Sequence, residues 1–422
     1  MAVKTIIDHI GLLWTMTDAR ETDANSPRQG REAMREVGAF ENAAIAIDEH
    51  GRIIEIGSRK SVGEMADGQT TWIDAGGGFA CPGFVDPHTH LVFGGSREHE
   101  LPMRLAGSTY LDILQAGGGI LRTVKDTREA SFEELYQKAL SSLARMLSFG
   151  VTTVEAKSGY GLELATEKKQ IEVANALSKA QPIDLALTAL PAHALPKDAG
   201  ISREDYVKSC IEWLPALKEA GAEFADAFVE KGVFTIEEGR RILTAARELG
   251  YGLKLHADEM ESLGGAELAA QLGAVSADHL LAASDEGLLQ MAANGVVAVC
   301  LPATSFYLQK AAARARFMID EVNLAVAIAS DFNPGSAPSE NFALTMSLAL
   351  LTLKMIPEEV FMAATRNSAN AISRGSRAGV IAKGRPADVV WFHAPNPAYV
   401  LTRFGIPHVA GVMKDGIPVY RT

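Results

Sequence analysis

Gly83-Phe84-Val85-Asp86-Pro87-His88-Thr89-His90 is the stretch on which the reading of the chain turns. Side chains alternate between the two faces of a β-strand, so His88 and His90, two positions apart, point the same way. Two imidazoles at the end of a short apolar strand (Phe79-Ala80-Cys81-Pro82-Gly83-Phe84-Val85) make half of a metal site, because neutral imidazole is the commonest nitrogen ligand for zinc or iron. On spacing alone, two histidines hydrogen-bonded in a surface turn are an equal alternative. The remainder of the chain has to complete the site.

From about residue 77 the sequence alternates short apolar strand, polar or glycine-rich loop, and amphipathic helix. The strand candidates are Ala80–Val85, Gly150–Ala156, Asp184–Leu190, Phe224–Val229, Gly252–Leu255, Ala274–Asp278, Gly295–Cys300 and Leu324–Ser330. Helical patterns lie between them at Phe132–Ser148, Glu163–Lys179, Ile236–Leu249 and Gly265–Gln271, with Gly150, Gly250 and Gly273 placed as C-terminal caps. Eight such units predict an α/β protein built on a parallel (β/α)8 TIM barrel, whose active site lies at the C-terminal ends of the strands.

The flanks read differently. Ala43–Asp48 and Arg52–Gly57 form a hairpin pattern around Glu49-His50-Gly51, and a second hairpin turns at Lys414-Asp415-Gly416. Too few strands lie at either end to bury a core alone. Residues 1–76 and 379–422 are therefore expected to pair into one small discontinuous β-sandwich-like domain beside a barrel of residues 77–378. Residues 20–40, rich in charged residues, Asn and Gly, read as a mobile insertion.

A length of 422 residues suits a barrel with an accessory unit, and 47% hydrophobic against 22% charged residues is a globular composition. The net charge of −12 carries no basic footprint for nucleic acid or an anionic membrane. Cys81, Cys210 and Cys300 stand far apart, which suggests neither a thiolate metal site nor a disulfide framework, and makes the reducing cytoplasm the expected compartment. The N-terminus lacks a secretory pattern, and Phe342–Ile356, interrupted by polar residues, reads as a buried helix rather than a membrane span.

At the expected strand ends stand His88 and His90 (strand one), His256-Ala257-Asp258-Glu259 (strand five), His279 (strand six) and Asp331 (strand eight). Three histidines and a carboxylate, with a fourth histidine beside them, suit a metal that holds a water and lowers its pKa. Together with the closing Gly384-Arg385-Pro386-Ala387-Asp388-Val389-Val390, these segments resemble the amidohydrolase superfamily. More narrowly, Phe93-Gly94-Gly95-Ser96-Arg97, Gly117-Gly118-Gly119-Ile120, Glu155–Gly161, Ala192-His193-Ala194, His256–Glu259 and Ser330–Ser336 resemble the imidazolonepropionase family, over essentially the whole chain.

That resemblance implies one zinc or iron ion per subunit, held by His88, His90, His256 and Asp331. It implies that Asp331 deprotonates the attacking water, that His279 polarises the substrate carbonyl, and that Glu259 contacts a ring nitrogen and shuttles a proton to the leaving nitrogen. The implied substrate is 4-imidazolone-5-propanoate, hydrolysed to N-formimidoyl-L-glutamate in histidine degradation. Arg97 would clamp its carboxylate with a bidentate fork, Tyr160 and His193 would contact it, and Asn333, Gly335 and Ser336 would supply further donors. A homodimer rests on family analogy alone.

Each residue has a duller reading: Arg97 as a surface cation, Tyr160 as a packed aromatic, His279 as a fifth ligand, and Asp258 as a surface carboxylate. The strand-four end, Val229-Glu230-Lys231-Gly232, departs from relatives that bridge two metals with a modified lysine, and reads as a salt-bridged terminus. His9, His50, His99, His393 and His408 read as structural or solvated. The Gly117–Gly119 run lies outside any phosphate-binding frame and suggests a flexible lid. Two rival functions stand beside cyclic-amide hydrolysis: an aminohydrolase acting on a nucleobase-like ring, and a scaffold protein that has lost catalysis. The first does not need the Arg97 clamp; the second should have lost ligands.

Overall fold

The computed structural model describes residues 2–18, 24–107, 117–196 and 200–422. Eight parallel strands follow one another around a barrel in sequence order: Phe84–Asp86, Val151–Lys157, Asp184–Ala192, Phe224–Val229, Gly252–Ala257, Ser276–His279, Val297–Cys300 and Val326–Ile328. The first and last share no regular ladder. Closure comes from Ser330, whose amide and hydroxyl both donate to Asp86, and from a bridge between Thr89 and Phe332.

The apolar run 80–85 divides instead of forming one strand. Phe79–Pro82 pairs with Val389–Phe392 and Val3–Trp14 in the terminal sheet, and only Phe84–Asp86 enters the barrel. The changeover thus falls at Gly83, not at 76/77, where the backbone passes so close to strand two that a Cβ would stand 2.3 Å from Thr152 Oγ1. Gly83→Ala is expected to cost about 1–3 kcal/mol, the usual range for overpacking, read as a lower urea midpoint at unchanged slope.

The two chain ends build a single eight-stranded sheet in the order Ile417–Arg421, Val409–Lys414, Val389–Phe392, Phe79–Pro82, Val3–Trp14, Ala39–Asp48, Ile53–Ser58, with Thr71–Asp74 also paired to Val3–Trp14. Its own apolar cluster includes Ile7, Ile45, Ile73, Val389, Trp391 and Met413. Both expected hairpins are present, and Asp415 and Gly416 take positive φ of 49° and 77°, as a tight two-residue turn requires.

Residues 24–40 are not a loose insertion. Met34 and Val37 are buried in the main core, and the Asn367 side chain bonds the backbone of Arg28 at both N–H and C=O. Residues 20–23 of that stretch lie outside the described residues. The helix Phe132–Ser148 opens with a capping box between Ser131 and Glu134. The helix expected over 342–356 spans Phe342–Thr352. No helix among the described residues is long and apolar enough to cross a membrane.

Candidate active site

Strand one ends at Asp86, but the chain stays extended beyond it because Thr89 bridges to Phe332, His90 N–H donates to the Phe332 carbonyl (2.9 Å) and Asp331 N–H donates to the His88 carbonyl (3.1 Å). This pairing preserves the alternation of side chains, so His88 and His90 both face the barrel mouth. His256 lies on strand five itself and His279 on the last residue of strand six. All four, with His193 and Asp331, are buried.

The rings crowd one another. The His88 centroid is 4.5 Å from that of His256 and 5.5 Å from those of His90 and His279, and His90 stacks on His193 at 4.7 Å. Asp331 Oδ1 lies 3.5 Å from His88 Nε2 and 3.6 Å from His90 Nε2. Ligand-type atoms of His88, His90 and Asp331, of His88, His256 and His279, and of His90, His193 and His256 gather in overlapping sets within 4.8 Å.

A divalent ion fits this donor set. The Nε2 atoms of His88 and His256 are buried and have no hydrogen-bond partner among the described residues, a costly arrangement unless a cation takes them up. Burial pushes His88 and His90 well below the ordinary imidazole value, and His193 down to about 3, which keeps the rings in the neutral form that ligates metals. Burial also raises Asp331, against the pull of His279 and of a hydrogen bond from Thr304 Oγ1 to Oδ2 (2.6 Å).

Around this cage the other candidates divide. Tyr160 is buried with its ring 5.4 Å from His90 and 5.3 Å from His193, and burial drives its hydroxyl far above the usual range, so it stays protonated. His193 Nδ1 meets the Gly159 carbonyl at 3.0 Å. Glu259 has Oε2 4.0 Å from His279 Nδ1 and Oε1 3.4 Å from Lys310 Nζ; burial works to raise its pKa, but His279 and Lys310 outweigh that and hold it lowered.

Arg97 is not a free fork. Its Nε and one Nη donate to the two oxygens of buried Glu100 (2.8 and 2.9 Å), which also accepts the Gly119 N–H and lies 3.6 Å from Arg104. The other Nη packs on Gly335, where a Cβ would come within 2.1 Å of it. Asn333, Gly335 and Ser336 close on themselves: Asn333 Oδ1 accepts both following N–H groups at 2.8 Å, and its amide donates to Ser336 Oγ.

Asp258, expected at the surface, is fully buried. Its carboxylate accepts four backbone N–H groups, from Leu263 to Ala266, at the start of the helix Gly265–Leu272. Lys231 at the strand-four end reaches outward to Glu261 (2.7 Å), away from the cage. Gly119 caps the helix Ile120–Glu129, while residues 108–116, which would complete a lid before it, lie outside the described residues. Sequence reasoning missed Thr304 and Lys310, which lie 27 and 51 residues from Asp331 and Glu259, and Glu100, whose place three residues after Arg97 carries no signal by itself.

The Amidohydrolase family signature covers residues 79–420. An imidazolonepropionase of Bacillus velezensis is 50% identical over 416 residues, 98% of this chain and 96% of that one. The chain belongs to the imidazolonepropionase family of amidohydrolases. A second imidazolonepropionase, from Bacillus thuringiensis strain Al Hakam, is 51% identical over 99% of this chain and 97% of its own length.

Solved structures share the fold of this chain at much lower identity. A triazine hydrolase variant superposes with a TM-score of 0.73 at 18% identity, covering 99% of this chain and 95% of its own. A 5-methylcytosine deaminase from Klebsiella pneumoniae gives 0.72 at 19%, covering 97% of each. An adenosine deaminase from Xanthomonas campestris with bound zinc gives 0.71 at 16%, covering 99% of this chain and 93% of its own.

Proposed function

We propose that the chain hydrolyses the cyclic amide of 4-imidazolone-5-propanoate to N-formimidoyl-L-glutamate. The observation that carries this reading is the buried cage of His88, His90, His256 and Asp331 in a chain half identical to imidazolonepropionases along its length. Those four residues would hold one zinc or iron ion; their nitrogen and oxygen donors suit either. When bound, the ion supplies an electrophile that acidifies water and polarises a carbonyl.

The chain's own groups do the rest. Thr304 ties down Asp331 Oδ2 and leaves Oδ1 turned to the cage, where it accepts the proton of the attacking water. As the new C–O bond forms at the ring carbonyl, His279 stabilises the developing oxyanion from the end of strand six. The C–N bond then breaks, and the proton returns to the leaving nitrogen, with Glu259 contacting the ring. Arg97, pre-aimed by Glu100, holds the propanoate with Tyr160 and the Asn333–Ser336 turn, whose internal hydrogen bonds would be exchanged for the substrate's carboxylate.

Loss of imidazolone ultraviolet absorbance tests this directly. Rapid decay with the metal-loaded protein, none with the chelator-stripped protein and recovery on adding back metal are expected. A folded, metal-loaded protein that leaves the chromophore intact would exclude this substrate.

A further inference from the structure

Beneath the cage the barrel interior holds three carboxylates and two ammonium groups, all fully buried: Glu155 and Lys157 on strand two, Asp226 on strand four, Lys254 on strand five and Asp278 on strand six. Four of the five come from even-numbered strands, the alternation by which side chains fill one layer of a closed barrel. Such a cluster is costly to desolvate, so its presence inside the barrel calls for a use.

The distances show where it leads. Lys157 Nζ lies 2.7 Å from Asp226 Oδ2 and 3.6 Å from Asp278 Oδ2. Those same two oxygens meet imidazoles: Asp226 Oδ2 is 2.9 Å from His256 Nδ1, and Asp278 Oδ2 is 2.6 Å from His88 Nδ1. Further contacts hold the frame in place. Glu155 accepts Lys157 (2.9 Å), Ser276 Oγ donates to the second Asp278 oxygen (2.6 Å), and Lys254, anchored to the carbonyls of Pro87 and Ala371, stands 3.3 Å from Glu155 and 3.8 Å from Asp278 Oδ2 but reaches neither Asp226 nor a histidine.

We infer that Lys157 is a positioning residue for the metal centre: one ammonium fixes two carboxylates, each of which orients a histidine from a different strand so that its Nε2 faces the cage. This rests on the cage reading above and deepens it. A carboxylate behind a ligating imidazole fixes the ring and its tautomer, and its loss typically costs about 10–100-fold in metal affinity. Here one side chain that touches no ligand reaches the carboxylates behind two of them, Asp226 directly and Asp278 together with Ser276 and Lys254.

Zinc affinity, measured by chelator competition on stripped protein, tests the inference. Wild type is expected to take up one ion, and Lys157→Met to bind it about 10–100-fold more weakly, with Lys157→Arg recovering part of the loss. The cobalt-substituted visible spectrum should shift in Lys157→Met. A merely structural lysine would lower the melting temperature of the metal-free protein and leave affinity and spectrum alone; that outcome overturns the inference. Should Lys157→Met fail to fold, the isosteric Asp278→Asn must show the same weakening, and unchanged affinity there overturns the inference equally. Wild type binding no zinc or iron would instead sink the cage reading itself.

Discussion

Asp331→Asn is expected to lower kcat/KM by roughly 10⁴-fold, because in the proposed mechanism it removes the proton acceptor for the attacking water together with one anionic ligand. The same change should not destabilise the metal-free protein. Burial raises the Asp331 pKa above its ordinary 3.8, so the folded chain holds this proton more tightly than the unfolded chain. By linkage, the metal-free protein loses stability from this group as pH rises through 3.8 and beyond, and an uncharged Asn escapes that loss. Thermal unfolding of stripped wild type and variant at pH 7 should therefore show equal or higher stability for the variant, beside its lost turnover. A large drop in melting temperature without metal would mean that Asp331 is held for structure.

Arg97→Ala is expected to raise KM by roughly 10²–10³-fold, within the range for truncating one partner of a buried charge pair. It also takes from the buried Glu100 carboxylate its two-pronged partner, leaving the Gly119 N–H and Arg104 at 3.6 Å, and the resulting loss of stability would confuse binding with folding. Arg97→Met combined with Glu100→Gln removes both charges, so it should regain much of the stability and none of the substrate affinity. A substrate whose propanoate is replaced by propanamide should bind wild type and double variant alike. If the amide still discriminates between them, Arg97 does not read the carboxylate.

What was legible in the sequence follows from periodicity. His88 and His90 share a face because a strand repeats every two residues, and Glu155 and Lys157 do the same one strand later. The barrel order followed from the repeated strand–helix alternation. Long-range geometry was not legible. Nothing in the run 79–85 marks Gly83 as the place where one sheet hands over to another, since both halves are equally apolar and the close contact with Thr152 is visible only once strands one and two are paired. Asp258 looked like a surface acid because it adjoins the site. Its real partners are N–H groups five to eight residues on, across a loop whose curvature no local rule supplies. Glu100 escaped because its i+3 relation to Arg97 is common on any helix; only its burial and its bond to Gly119 give it weight.

The terminal sheet also sets an order of assembly. Phe79–Pro82, which leads directly into the histidine pair, is flanked by Val3–Trp14 on one side and Val389–Phe392 on the other. During synthesis the first neighbour is made before Phe79–Pro82, while the second emerges about 300 residues after it. Until then the strand that carries the cage offers an open edge, a template for pairing with other nascent chains. Ribosome-bound chains halted before residue 389 should therefore be vulnerable to aggregation and poor at retaining metal, and the centre matures only after Val389–Phe392 has emerged.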